Sequence, residues 1–313
     1  MNKTTHFLSC DWGTTNFRIR LVHRETLAII KEHTSYEGIK VLNDQAKNSG
    51  ITPSAFFSSF LLRQVAKAFG ELATVPIICS GMLSSNLGMK ELPYSRLPLR
   101  AKGDNLITET IVLPNDQNLI LVSGVRSEFG FMRGEETQAL GLLHQMDKDG
   151  VLILPGTHSK HLIYEQGAFI EMRNFMTGEL FSLVSSQSVL ANSVQKAPWS
   201  DDFKDPFLEG VKEGNHKGLG STLLTVRAKQ MFGNQPKDEG YYYLSGLVIG
   251  EEISSLGNFE KHIHLAADDS VFELYRLALE TIIDEDQLTL FNCQMLNRAL
   301  FLGQQTILNK HDL

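Results

Sequence analysis

One pattern occurs twice in this chain and limits its fold more than any other: an apolar, strand-like run, a short polar turn carrying Gly and Thr, and a second strand-like run. Phe7-Leu8-Ser9-Cys10 breaks into Asp11-Trp12-Gly13-Thr14-Thr15-Asn16 and resumes as Phe17-Arg18-Ile19-Arg20-Leu21-Val22. Phe17, Ile19 and Leu21 alternate with Arg18 and Arg20, a period of two that puts one face inward and the other outward. The second copy opens at Val151-Leu152-Ile153-Leu154 and turns at Pro155-Gly156-Thr157-His158-Ser159-Lys160. Two more strands follow, about 161–165 and 168–172, joined at Gln166-Gly167. The repeat lies in topology and in the Gly-Thr turn, not in aligned residues. In the first turn Gly13 lets the backbone approach a ligand closely. The Thr14 and Thr15 hydroxyls, with successive N–H groups, form a concavity the size of an anion, and Asp11 can hold a divalent cation through water. These are parts that a nucleoside triphosphate requires, and a plain polar hairpin turn is the alternative for this string taken alone.

At 313 residues the chain exceeds the size at which single cores stop growing, so two domains are expected. The cluster Asp147-Lys148-Asp149-Gly150, just before the strand pattern restarts, sets their boundary: 1–147 with the first turn and 148–313 with the second. A formal charge of −7 without a dense Lys/Arg run argues against nucleic acid and anionic membranes as partners. Residues 1–5 lack the apolar core of a signal peptide, and no apolar stretch reaches bilayer-spanning length, so a cytoplasmic protein is expected. Cys10, Cys79 and Cys293 are odd in number and far apart, which favours reduced, packed thiols.

After the opening hairpin, 27–32 reads as a third strand. Residues 53–69 read as a helix with Thr52 as N-cap, Pro53 at its first position and Gly70 past its end. The apolar run 75–79 is a buried central strand that delivers Ser80-Gly81-Met82 to one edge of the sheet. A second helix spans roughly 135–146. In the second half, helices are expected at 177–184, at 206–216 capped by Asp205, at 221–232, at roughly 239–254 and after 266, where Ser270 can cap. A strand at 263–266 and another at 287–291 complete the pattern. The final helix, 293–304, offers Ala299 and Gly303 on one face, where another helix can approach closely.

Two three-stranded openings, each with a Gly-Thr turn and followed by helices and further strands, resemble the duplicated domains of the actin, sugar-kinase and heat-shock-70 superfamily. That resemblance implies an α/β fold of two actin-like (ribonuclease H-like) domains, with the nucleotide in the cleft between them and one phosphate hairpin from each: 11–16 and 156–160. Five local strings narrow it. Asp11-Trp12-Gly13-Thr14-Thr15-Asn16, Ser80-Gly81-Met82, Met132-Arg133-Gly134-Glu135-Glu136-Thr137-Gln138, Leu154-Pro155-Gly156-Thr157-His158-Ser159-Lys160 and Phe175-Met176-Thr177-Gly178-Glu179-Leu180-Phe181 resemble, in family order, the 2-dehydro-3-deoxygalactonokinases. The resemblance implies phosphorylation of 2-keto-3-deoxygalactonate at its 6-hydroxyl with ATP and magnesium. The chain departs from the family at Asn86-Leu87-Gly88-Met89, where a basic residue and a Trp are usual, and at Ala266-Ala267, where the adenosine-contacting turn usually carries glycines.

Such a reaction must neutralise a triphosphate, align a hydroxyl with the γ-phosphate and accept its proton. Asp11 is the expected metal-holding carboxylate. Gly13, Thr14, Thr15, Asn16, Gly156, Thr157, His158 and Lys160 are expected at the phosphates, and Ala267 near the adenosine. Glu135 and Glu136 are the candidates for the base, with Glu136 preferred; acids in a first helical turn otherwise simply complement the macrodipole. Ser80, Gly81, Met82 and Ser85 form a loop expected to touch substrate. Arg133 and Arg126 are candidates to clamp its carboxylate, since guanidinium matches carboxylate with two parallel bonds. Thr177, Gly178 and Glu179 join the substrate set by resemblance alone, and Thr177 is equally explained as an N-cap.

The expected partner is a small sugar acid, and the chain leaves room for a homodimer. Another sugar or sugar-acid kinase is the nearest alternative. A non-catalytic nucleotide-binding sugar sensor is the alternative of another class, and transcriptional relatives of that kind carry a basic helix-turn-helix domain. Here the phosphate hairpin starts at once on an acidic chain, and Asp11, Glu135 and Glu136 favour catalysis.

Overall fold

The computed structural model describes residues 4–70, 72, 74–256 and 261–311, so the first three residues of the chain's opening segment lie outside it. The chain divides into two compact units, one of residues 1–147, 164–172 and 294–313, the other of 148–163 and 173–293. The chain therefore leaves the first unit and returns to it twice.

In the first unit, β1 (His6–Trp12), β2 (Phe17–His23) and β3 (Ile29–Ser35) form the opening meander. The helices α1 (Ile39–Asn48) and α2 (Pro53–Phe69) come next, then β4 (Ile77–Gly81). Short strands β5 (Ser95–Arg96) and β6 (Leu99–Arg100) lead to β7 (Thr108–Val112) and β8 (Asn118–Val122), and then to β9 (Val125–Arg126), β10 (Phe131–Met132) and α3 (Glu135–Leu142). The main sheet runs β3-β2-β1-β4-β8-β7, with β1, β4 and β8 parallel, while β10-β9-β5 make a second, three-stranded sheet. α2 starts and stops where its punctuation dictates: the Thr52 hydroxyl accepts from Ala55 N–H, Pro53 opens the helix, and Gly70 leaves it at φ +79°. Trp12, fully buried, packs edge-on against Phe17 and Phe57 and donates its indole N–H to Glu37 O. The middle residue of the Asp-Trp-Gly string is thus the core anchor that holds the hairpin on α2.

The chain from 150 to 291 carries β11 (Gly150–Leu154), β12 (Ser159–Glu165), β13 (Ala168–Phe175), α4 (Thr177–Gln187), α5 (Lys204–Lys217), α6 (Leu219–Phe232), α7 (Lys237–Ser254), β14 (His262–Ala266), α8 (Asp269–Leu279) and β15 (Leu288–Phe291), all in the second unit except the end of β12 and most of β13, which group with the first. Strands β13-β12-β11-β14-β15 lie side by side in a six-stranded sheet whose remaining strand, β6, pairs with β13. The order third, second, first, fourth is the same as in β3-β2-β1-β4. The repeat seen in the two turns thus extends to the order of the first four strands of each sheet, and the fold is α/β. α5 and α7 cross at glycines: a Cβ on Gly210, Gly214, Gly246 or Gly250 would meet backbone of the other helix at 2.1–2.2 Å.

The last helix, α9 (Cys293–Leu308), groups with the first unit from residue 294 onward. Its Asn297, and Asn309 just past its end, accept from Arg20 and Arg24, Arg298 donates to Thr26 O, and Arg20 lies over the Phe301 ring. This corrects the alternation expected for β2: Arg20 is not outward in solvent but 3% exposed. The expected close approach at Ala299 and Gly303 is present, and the partner is α3. A Cβ on Gly303 would sit 2.0 Å from Thr137 O, and one on Gly141 would sit 1.8 Å from Ala299 O. Two expected caps differ. α8 is capped by Asp268, with Ser270 already inside the helix, and α5 starts at Lys204, with Asp205 in its first turn.

Candidate active site

In the first unit the turn after β1 is held by its own backbone and by the start of α1. Gly13 N–H donates to Asn16 O at 2.9 Å, and the first free N–H groups of α1, at Ile39 and Lys40, donate to Gly13 O and Thr14 O. Gly38 makes this possible, because a Cβ there would fall 2.3 Å from Thr14 O. Thr14, Thr15 and Asn16 are thereby left exposed, and Asp11 is half-buried at the end of β1. One carboxylate beside an open phosphate-sized turn suits magnesium, which keeps its waters and takes one or two carboxylates plus phosphate oxygens. Among the described residues, no group of three His, Cys, Asp or Glu builds an all-protein metal cage.

Gly81 and Gly134 close the same end of the unit. Gly81 has φ +101° and its Cα faces Trp12 O, where a Cβ would be 2.6 Å away. Gly134 has φ +116°, with room for a Cβ only 3.3 Å from Gly81 Cα. Both conformations favour glycine, and together they bring the N-terminus of α3 onto the ends of β1 and β4.

The two glutamates that open α3 have different surroundings. Glu136 is fully buried; its Oε2 accepts from Gly134 N–H at 2.6 Å and its Oε1 from the Thr137 hydroxyl at 3.2 Å. A chain of donors feeds it, Gln304 to Ser80 at 3.3 Å and Ser80 to Thr137 at 2.9 Å. Burial, with the neighbouring Glu135 charge second, pushes the Glu136 carboxyl up to about 8, so it is protonated at neutral pH. Glu135 is half-exposed and accepts from Arg133 N–H at 3.2 Å. Sequence favoured Glu136 as the candidate base; these surroundings favour Glu135. A buried, protonated carboxyl is a poor proton acceptor, and Glu135 is the more exposed of the two.

Three more of the first-unit candidates carry structure. Ser80 is 1% exposed and its hydroxyl is committed to Thr137. The Ser85 hydroxyl donates to Met82 O at 2.7 Å and closes the loop's own turn; Met82 beside it is half-buried. Arg133 donates to Ser84 O, Ser84 Oγ and Leu92 O and stacks 4.2 Å over the Tyr94 ring. It clamps the 84–92 loop rather than a carboxylate, which leaves Arg126, exposed on β9, as the candidate clamp.

In the second unit Gly156, Thr157 and His158 are exposed at the turn between β11 and β12. The first turn of α4 packs on them. A Cβ on Gly178 would lie 2.5 Å from Gly156 O, Glu179 N–H donates to Thr157 O, and His158 Nε2 is 2.5 Å from Glu179 Oε2. Gly178 and Glu179, grouped from sequence with the substrate set, thus pack on the turn between β11 and β12. Lys160 is buried and donates to His158 O at 2.6 Å, bracing the turn from beneath. Thr177 is not the N-cap, which is Met176; its hydroxyl donates to Glu252. Ala267 is 1% exposed in the core, with its N–H on Phe291 O.

Glu252 is a buried organising residue that sequence reasoning missed. It is 2% exposed and gathers His161 Nε2 at 2.9 Å, Tyr275 Oη at 2.7 Å and Thr177 Oγ1, while Tyr275 also meets Ser159 Oγ at 3.1 Å. Burial, then the Glu252 charge, pushes the Tyr275 phenol well up. One buried carboxylate thus ties β12, the first turn of α4, α7 and α8 together directly below the phosphate turn. Lying in an α7 that is apolar on most sides, it gave only the weak signal of a charge among buried positions.

A family model described as 2-keto-3-deoxy-galactonokinase matches residues 11–296. The chain is 29% identical over 293 residues to the 2-dehydro-3-deoxygalactonokinase of Escherichia coli (strain K12), covering 89% of this chain and 91% of that protein. The crystal structure of a candidate 2-dehydro-3-deoxygalactonokinase from Sinorhizobium meliloti superposes with a TM-score of 0.76 at 26% identity, over 94% of this chain and 96% of that one. The matched span takes in both Gly-Thr turns, the Gly81–Gly134 approach and the paired glutamates, and on that breadth the chain belongs to the 2-keto-3-deoxy-galactonokinase family of kinases.

Proposed function

We propose that this kinase transfers the γ-phosphoryl group of ATP to the 6-hydroxyl of 2-keto-3-deoxygalactonate. The observation that carries the reading is the match of the family model from the first phosphate turn to beyond β15, with a half-exposed Glu135 opening α3. The exposed turns 13–16 and 156–158 each offer backbone N–H groups and hydroxyls to phosphate oxygens. Asp11 would hold magnesium, which when bound supplies positive charge to the triphosphate. Glu135 accepts the proton of the 6-hydroxyl as its oxygen bonds to the γ-phosphorus and the bond to the ADP oxygen breaks. Glu136 remains protonated and holds Gly134, and through it the start of α3, in place.

The test is ADP release by purified protein over a panel of aldonic, 2-keto-3-deoxy and simple hexose substrates. The expected outcome is magnesium-dependent turnover highest with 2-keto-3-deoxygalactonate. Greater release with a simple hexose than with any keto-deoxy acid rejects the reading.

A further inference from the structure

The small sheet β10-β9-β5 has one buried face and one open face. Ser95, Val125 and Met132 are in register on the buried side. Arg96, Arg126 and Phe131 are in register on the other, and all three are exposed. Two guanidinium groups on directly paired positions of adjacent strands repel one another, an arrangement that costs stability unless an anion lies between them. No hydrogen bond or ion pair to either guanidinium is seen among the described residues, although acidic side chains are close by in the same unit.

The pair borders a cavity of about 600 Å³ within the first unit, whose wall also includes Phe129, Ile170, Glu128 and Glu171. The 127–130 turn that carries Phe129 is fixed, with Ser127 N–H on Gly130 O and the Ser127 hydroxyl on Met172 O at 2.9 Å. Phe129 and Ile170 are 70% and 44% exposed, apolar surface beside two unpaired cations. β10 then leads within three residues to Glu135.

We propose that Arg96 and Arg126 form the subsite for the carboxylate of a 2-oxo acid, the C1 end of the substrate; this rests on the kinase reading above. A carboxylate and its neighbouring oxo group are acceptors only, and a guanidinium offers donors only, in a planar fork. The methylene of a 3-deoxy sugar acid is the apolar part of that molecule, adjacent to the oxo acid, and Phe129 and Ile170 provide an apolar wall beside the two arginines. Glu128 supplies an acceptor for hydroxyl groups further along the chain.

Calorimetric titration with 2-keto-3-deoxygalactonate and with its C1 amide tests this in wild type, Arg96→Met, Arg126→Met and Arg126→Lys. Wild type should prefer the acid by about tenfold to a hundredfold, the scale of charge-assisted hydrogen bonds to one carboxylate. Both Met variants should lose most of that preference at a melting temperature no lower than wild type's, with Arg126→Lys, which keeps charge without the fork, in between. Retention of the wild-type preference in either Met variant, or no preference in wild type, overturns the subsite. Wild-type ADP release measured in parallel judges the kinase reading separately. Binding without turnover rejects that reading and keeps the subsite, and turnover with an unaltered acid preference in the variants does the reverse.

Discussion

Adjacent glutamates on one helical turn can be driven into opposite protonation states by burial alone, and Glu135 and Glu136 are such a pair. A folded-state value of about 8 for Glu136, against about 4.5 for an ordinary glutamate carboxyl, means the folded protein binds a proton that the unfolded chain releases. Stability therefore falls as pH rises from about 4.5 to about 8, by roughly 1.4 kcal/mol per pH unit from this group at most, and is flat outside that window. Glu136→Gln removes the titration while keeping an acceptor for Gly134 N–H. Urea denaturation should show the variant equal to wild type near pH 4.5 and more stable at pH 8, and parallel pH profiles for the two proteins would place Glu136 in an ordinary solvated state. The kinetic prediction is the complement. Glu135→Gln should lose about 10² to 10⁴ in kcat with ATP affinity retained, and Glu136→Gln should stay near wild type at neutral pH. A near-wild-type kcat for Glu135→Gln moves the base elsewhere.

At the scale of elements, the two helix crossings are set by missing side chains. The α3–α9 pair is close because Gly141 and Gly303 each lie on the other helix's backbone, which a methyl group cannot displace. Gly141→Ala should cost at least about 1–3 kcal/mol by overpacking. Gly220, in α6 with nothing within 4 Å of a built Cβ, is the control, and Gly220→Ala should stabilise by about 0.5–1 kcal/mol. Chemical denaturation of the two variants reads both signs. A neutral Gly141→Ala would mean α9 can slide on α3. Such a slide would also show at Glu136, because Gln304 on α9 feeds its donor chain through Ser80.

Across the whole molecule, what the sequence made legible was whatever local chemistry dictates: the two Gly-Thr turns, the capped and proline-started α2, and the Ala299–Gly303 face. Less legible was whatever depends on partners far along the chain. Arg133 looks like a ligand clamp until Ser84 O and Leu92 O take its donors. Glu252 gives little signal in sequence, because its three donors come from β12, α4 and α8. Strands of two residues, such as β5, β9 and β10, have no period to detect, and α1 follows a glycine with no side-chain cap to announce it. The two Gly-Thr turns are legible because they are built from exposed backbone and small residues. That same openness makes them sensitive reporters of ligand, and they anchor the last prediction. Any ligand that binds only the folded chain stabilises it by RT ln(1 + [L]/Kd), about 2.7 kcal/mol at a hundredfold excess over Kd. ATP with magnesium should therefore raise Tm by a few degrees and ATP alone by less, because the difference is the cation that Asp11 helps to hold. Asp11→Asn should melt with wild type when unliganded, since a half-exposed carboxylate contributes little to stability, and should lose the magnesium-dependent increment while keeping the increment due to ATP alone. A magnesium increment of wild-type size in Asp11→Asn would take Asp11 out of the metal site and leave the turn 13–16 as a phosphate binder only.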